Sequence, residues 1–302
     1  MLRRFLRITI LVVLPVLIFG LGYAGVQYSR ARQIRHALYD AFEPVAVTNC
    51  ELKRFGDPND GGYLLCGNLL GGAQVAYSYG INGTDNWGCQ MATTLKVAVH
   101  QYDCFNPVVP YCAGAETHFH PECVGPEPSS FEGRPFDSVG NQVLKNGDAG
   151  KRIVMKMDVE GSEWESLVKT PDEVLNAIDQ VAIEFHEVEK PTFLATVERL
   201  KKFFYVAHLH VNNFKCEPGF EPFSGQVFEA LLVSKRLGQI DLAINARGPS
   251  PLDAPNTPTV PDCQASPSGS EVTNVARWSE RHLGAWFRDE YSTWKDRLLP
   301  PY

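Results

Sequence analysis

Positive charge is in short supply: 28 Lys and Arg stand against 35 Asp and Glu, a formal net charge of -7 at pH 7. A surface that neutralises nucleic-acid phosphates needs a basic excess, so a nucleic-acid footprint is excluded as the main function. No block of like charge and no internal repeat runs through the chain, which rules out a charged tail and a solenoid. Apolar content is ample. At 44% of 302 residues it suffices for one sizeable core with residues left for appendages.

Charge is also missing from Ile8 to Gln27, a run rich in Leu, Val and Ile that follows Arg3, Arg4 and Arg7. That length meets the roughly 20 residues a helix needs to cross a bilayer. A cleaved signal peptide would use small residues such as Gly22 and Ala24. The run exceeds the usual length of such a segment, which favours a retained single-pass anchor over residues 1–28. Arg30, Arg32 and Arg35 balance the three arginines before the span, so the positive-inside count does not orient it. Eight cysteines, an even set, favour an oxidising compartment and place the domain on the lumenal or extracytoplasmic side.

Gln33 to Phe42 reads as a helical stalk within residues 29–44, and the folded domain as residues 45–235. Asp57-Pro58-Asn59-Asp60-Gly61-Gly62 is a turn before a strand at Tyr63, read as a hairpin rather than a ligand loop. Val75 to Tyr79 is an apolar strand closed by Gly80, Asn82 and Gly83, with Thr84 or Asp85 capping a helix through Leu95. Such a corner offers backbone N–H groups to a cofactor. The strand from Lys96 to Tyr102 ends in Asp103, where α/β cofactor folds place an acid on a ribose diol.

Phe105 to Arg134 reads as irregular, and Phe136 to Leu144 as a helix. Cys112, His118, His120 and Cys123 could hold zinc, but their spacing fits no common finger; a Cys112–Cys123 disulfide fits a secreted domain as well, and a disulfide or free thiols are favoured over metal. Ile153 to Met157 is a strand that breaks into Asp158-Val159-Glu160-Gly161 before a helix containing Trp164. Strand-end carboxylates of this kind orient a hydroxyl, accept a proton or hold a cation. Glu184 and His186 share one face of the next strand, and either could act as a base. Residues 236–275 read as a mobile linker rich in Pro and Ser, and 276–302 as a docking helix with Trp278 and Trp286.

Five segments agree in order: Asp60-Gly61-Gly62-Tyr63, Tyr77-Ser78-Tyr79-Gly80-Ile81, Tyr102-Asp103, Lys156-Met157-Asp158-Val159-Glu160-Gly161-Ser162-Glu163-Trp164 and Ile183-Glu184-Phe185-His186. Together they resemble the FkbM-type family of S-adenosylmethionine-dependent methyltransferases, in particular its membrane-anchored branch, over about Cys50 to Ser234. The resemblance implies an α/β fold, a mostly parallel Rossmann-like class I methyltransferase sheet of seven strands, and O-methylation of a sugar or other small hydroxyl acceptor. Tyr79, Gly80 and Asn82 would border the methionine part of S-adenosylmethionine, and Asp103 would hold its ribose. Asp158 and Glu160 would lie beside the transferred methyl, and Glu184 and His186 would face the acceptor, with His186 the expected base, Asp158 or Glu160 orienting the acceptor, and no metal expected. The same residues admit two rival readings. One is a type II membrane glycosyltransferase whose Asp158-Val159-Glu160 holds a metal on a nucleotide sugar. The other is a binding domain of the same fold without turnover.

Overall fold

The computed structural model describes the backbone of residues 2–213, 216, 220–263 and 278, and the side chains of that set from residue 22 onward. Helix α1 (Leu2–Ala41) leads into β1 (Val45–Val47) and an antiparallel hairpin of β2 (Leu52–Gly56) and β3 (Gly62–Cys66). There follow β4 (Val75–Tyr79), α2 (Asn86–Leu95), β5 (Ala98–Tyr102) and β6 (Thr117–His120). Short strands β7 (Cys123–Val124), β8 (Ser129–Phe131) and β9 (Arg134–Asp137) precede α3 (Val139–Lys145), β10 (Ile153–Asp158) and α4 (Glu163–Lys169). The rest is α5 (Asp172–Ala177), β11 (Ile178–His186), α6 (Phe193–Phe203), β12 (Phe204–Val211), β13 (Val227–Ser234) and β14 (Ile240–Asn245).

Seven strands make one sheet in the order β12-β13-β11-β10-β4-β5-β6. β13 is antiparallel to both neighbours, and the remaining pairs are parallel. The expected mostly parallel, Rossmann-like α/β sheet is therefore present. All five residues of β4 are buried, as are the first five of β10, which is why both read as unbroken apolar runs. The chain steps outward from β4 to β6 and then returns to lay β10 on the other side of β4. In open α/β sheets the crevice beyond the strand ends at such a reversal is where ligands bind.

Packing corrects several boundaries. Leu38 and Phe42 are buried in the main core, and the Phe42 ring lies 5.0 Å from those of Phe185 and Phe228. The segment expected as a stalk is thus core, and the folded unit begins before Val45. Part of the expected linker is fastened down: β14 pairs with β1, and residues 250–263 cross the sheet as a strap. The docking-helix expectation falls outside the described residues, apart from Trp278. Among the described residues no helix is long and apolar enough to cross a membrane. The side chains of residues 2–21, most of the run expected as an anchor, lie outside the description.

Four disulfides join Cys50–Cys66, Cys89–Cys112, Cys104–Cys123 and Cys216–Cys263. The expected Cys112–Cys123 pair does not form. Cys112 reaches back to α2, while Cys123 bonds Cys104 just past the end of β5. With both thiols oxidised, the zinc alternative is also excluded. The segment taken as irregular supplies β6, whose mixed Thr-His-Phe-His sequence carries no apolar signal because it lies at the sheet edge. The helix expected from Phe136 starts at Val139, since Arg134–Asp137 is held in β9 and Ser138 caps α3.

Candidate active site

A cavity of about 530 Å³ opens over the carboxyl ends of β4, β5 and β10. Its β4 side is a tight corner. Gly80 has φ +73, and a Cβ there would stand 1.5 Å from the Asp158 carbonyl oxygen. Only glycine allows the turn after β4 to meet the turn after β10 this closely. Lys156 ties the two together: its ammonium donates to the carbonyls of Tyr79 and Gly80 and stands 3.7 Å from Asp158 Oδ2. Asp85 caps α2 by accepting from Gly88 N at 2.7 Å.

Asp103, expected on a ribose, has its carboxylate occupied by backbone. Oδ2 accepts from the N–H groups of Ile81 at 3.2 Å and Asn82 at 2.7 Å. Oδ1 accepts from Phe105 at 2.8 Å and Asn106 at 2.9 Å. One carboxylate thus pins the glycine corner to the loop that follows β5. Tyr79, Gly80, Asn82 and Asp103 all line the cavity, as do Asp158 and Glu160. Tyr79 is fully buried and stacked on Tyr102 at 4.9 Å, and its hydroxyl has no hydrogen-bond partner among the described residues. Burial, followed by the neighbouring tyrosines, raises its pKa well above the ordinary range.

On the β10 side, Asp158 accepts a hydrogen bond from the Tyr63 hydroxyl at 2.9 Å. This turns the β2–β3 hairpin, read as a structural turn, into a wall of the site, with Asp57, Asp60 and Gly61 also lining the cavity. Glu184 and His186 do not line it. They stand behind Asp158, where His186 Nε2 lies 3.9 Å from Asp158 Oδ1, 3.5 Å from Glu160 Oε2 and 3.5 Å from Glu184 Oε1. Burial alone would lower the His186 pKa, but the Glu163 hydrogen bond and the Asp158 and Glu160 charges outweigh it and raise the value.

Glu163 is the residue that reading the chain missed. It is completely buried, and its Oε1 accepts from His186 N at 2.5 Å and faces His186 Nδ1 at 3.2 Å. Its other oxygen accepts from Gly161 N. The carboxylate therefore orients the ring and leaves Nε2 toward the cluster. Trp164, next in sequence, donates to the His186 carbonyl at 2.6 Å and stacks on Phe193. The Glu163-Trp164 pair buttresses His186 from two directions. Only its place at the start of α4, after a turn rich in acids, hinted at this.

Strand register extends the polar row. Asp158 pairs with Glu184, Glu184 with Glu229, and Glu229 with His210, on four adjacent strands. Burial, followed by the charges of Asp158 and Glu229, pushes the Glu184 carboxyl well above the usual carboxylate range. Asn212 and Asn256 donate to its two oxygens. Asn256 belongs to the strap, which is also held by a 2.7 Å contact between His208 Nε2 and Asp253 Oδ1. No protein-family model matches this chain. A search of curated proteins finds no match either.

Proposed function

We propose that this chain is an S-adenosylmethionine-dependent methyltransferase acting on a hydroxyl of a sugar or other small acceptor. The observation that carries the reading is the continuity of one cavity from the Gly80–Asn82 corner to Asp158 and Glu160. A donor seated at the corner and an acceptor seated at the carboxylates would meet in line within it, and alignment of that kind supplies much of the catalysis in a displacement reaction. The lining is acidic, which suits a sulfonium cation, and Val124 and Phe136 offer an apolar wall to an adenine ring. The seven-stranded, mostly parallel sheet supports the class I methyltransferase arrangement. Asp158 and Glu160, which line the cavity, orient the hydroxyl and pass its proton to Nε2 of His186 behind them, whose ring Glu163 orients. The four disulfides support an oxidising compartment and so a lumenal or extracytoplasmic domain behind an N-terminal anchor.

The test is calorimetric titration of S-adenosylhomocysteine into the full-length chain. Micromolar binding is expected, followed by methyl transfer in an acceptor screen that begins with glycans. His186→Ala should then lose about 10²–10⁴-fold in turnover, the usual weight of a general base. A folded chain that ignores S-adenosylhomocysteine would end this reading. The grouping of Asp158, Glu160 and His186 favours, as second reading, transfer from a metal-bound nucleotide sugar. That reading requires uridine diphosphate to bind only with Mn²⁺ present.

A further inference from the structure

We infer that Asp158, Glu160 and His186 form a binding site for a single divalent transition-metal ion at the acceptor end of the cavity. The inference goes beyond methyl transfer and does not depend on it. One oxygen from each carboxylate and Nε2 of the imidazole lie within 4.8 Å of one another. The separations from Nε2 are 3.5 Å to Glu160 and 3.9 Å to Asp158, too long for good direct hydrogen bonds. An ion about 2.1 Å from each ligand holds tetrahedral neighbours about 3.4 Å apart. The three groups therefore already stand near coordination spacing, with small closing movements left to make.

The imidazole makes this more than a cluster of acids. Its Nδ1 is taken by Glu163, so the nitrogen aimed between the two carboxylates is Nε2, and Glu163 is itself fully buried. A carboxylate behind a histidine that faces open ligand positions is the usual outer-shell support of a metal-binding imidazole. Glu184, also buried, adds a further oxygen 3.5 Å from Nε2. The nearest lysine, Lys156, is committed to the carbonyls of Tyr79 and Gly80. Asp158 and Glu160 both line the cavity, which gives the ion an entry path and leaves positions for acceptor oxygens.

One imidazole with two carboxylates selects Mn²⁺, Fe²⁺ or Zn²⁺ over Ca²⁺, which wants six to eight oxygens. The acceptor this implies is one with two neighbouring oxygens, such as a vicinal diol, that can complete the coordination. A bound ion would occupy Nε2 and take over from the ring the task of easing the proton from the hydroxyl.

The experiment titrates Mn²⁺ alone into the full-length, disulfide-intact protein and follows loss of the free ion's electron paramagnetic resonance signal. One saturable site is expected. Glu160→Gln should weaken it at least about tenfold, by the scale of metal-site losses. Because Glu160 is 88% exposed, that variant keeps the fold. His186→Gln should lose the site, and Glu163→Gln should weaken it about 10–100-fold through the ring it orients. Absence of a saturable site, or affinity unchanged in both Glu160→Gln and His186→Gln, overturns the inference. S-adenosylhomocysteine titrated in parallel separates the two readings: Mn²⁺ bound without it leaves the metal site standing, and the converse removes the metal site alone.

Discussion

Replacing Asp103 by Ala separates two roles that this position can play. A residue that only holds a ribose leaves the folded protein untouched when it is lost. The structure assigns Asp103 four backbone N–H groups from two separate turns. Hydrogen bonds to a charged acceptor contribute about 1.5–3 kcal/mol each when removed singly. Four that share one carboxylate are not additive, and water can reach part of the loop, so the combined loss is on the order of 4 kcal/mol. For a folded unit of this size each kcal/mol lowers the melting temperature by about 2–4 °C. Asp103→Ala should therefore melt roughly 10 °C lower without any ligand present. Asp103→Asn should fall between, since its amide keeps one acceptor oxygen and turns an NH2 group on the other pair of donors. Near-UV circular dichroism gives the melting curves, and hydrogen exchange at Ile81, Asn82, Phe105 and Asn106 reports the corner directly. A melting temperature within about 2 °C of the parent, with S-adenosylhomocysteine affinity lost, would refute the reasoning and leave a pure ligand role.

Two further outcomes follow from the packing. Phe42→Ala removes a ring fully buried against Phe185 and Phe228 and should cost about 3–5 kcal/mol. A chain trimmed to begin at Val45 should lose cooperative thermal unfolding that one beginning at Gln33 keeps, and equal melting curves would show α1 to be dispensable. The strap should loosen with rising pH. Burial lowers the His210 pKa, but Glu229 on β13 and then Asp253 and Asp262 on the strap outweigh it, so the folded value lies above the ordinary 6.5. Its contribution is complete below 6.5 and is lost as pH rises through the folded value. Asp253 behaves oppositely. Burial raises its pKa, but His208 outweighs that, so its share holds above the ordinary 3.8 and fades as pH falls through a lower folded value. Hydrogen exchange over residues 250–263, corrected for intrinsic rates, should rise on the alkaline side, and a flat profile across neutrality would remove His210 as a latch.

The strand–turn–helix corners at Gly80 and at Asp158–Gly161 were legible because their causes are local. An apolar run, a glycine and a capping acid act within a few residues of one another, and the N-cap at Asp85 lies where the pattern places it. Tyr79, Gly80, Asn82, Asp103, Asp158 and Glu160, widely spaced along the chain, line one cavity. β6 escaped notice because an edge strand in a mixed polar sequence has no period to show. The strap escaped because its proline- and serine-rich composition is that of a linker. What holds it is a set of long-range partners, His208, Asn213 and Cys216, that composition does not encode.

What the sequence determined by itself is the alternation of elements, the glycine corner, and which acids and histidines stand at strand ends. These follow from backbone sterics and hydrophobic period, which need no partner. Tertiary structure alone decided that Asp103 grips backbone, that Glu163 aims His186, that Cys123 takes Cys104, and that the last turn of α1 packs into the core. Each of those depends on which groups meet across the sheet. Strand order and register, with partners as far as 204 residues apart in the Glu43–Arg247 pair, settle that and local pattern does not.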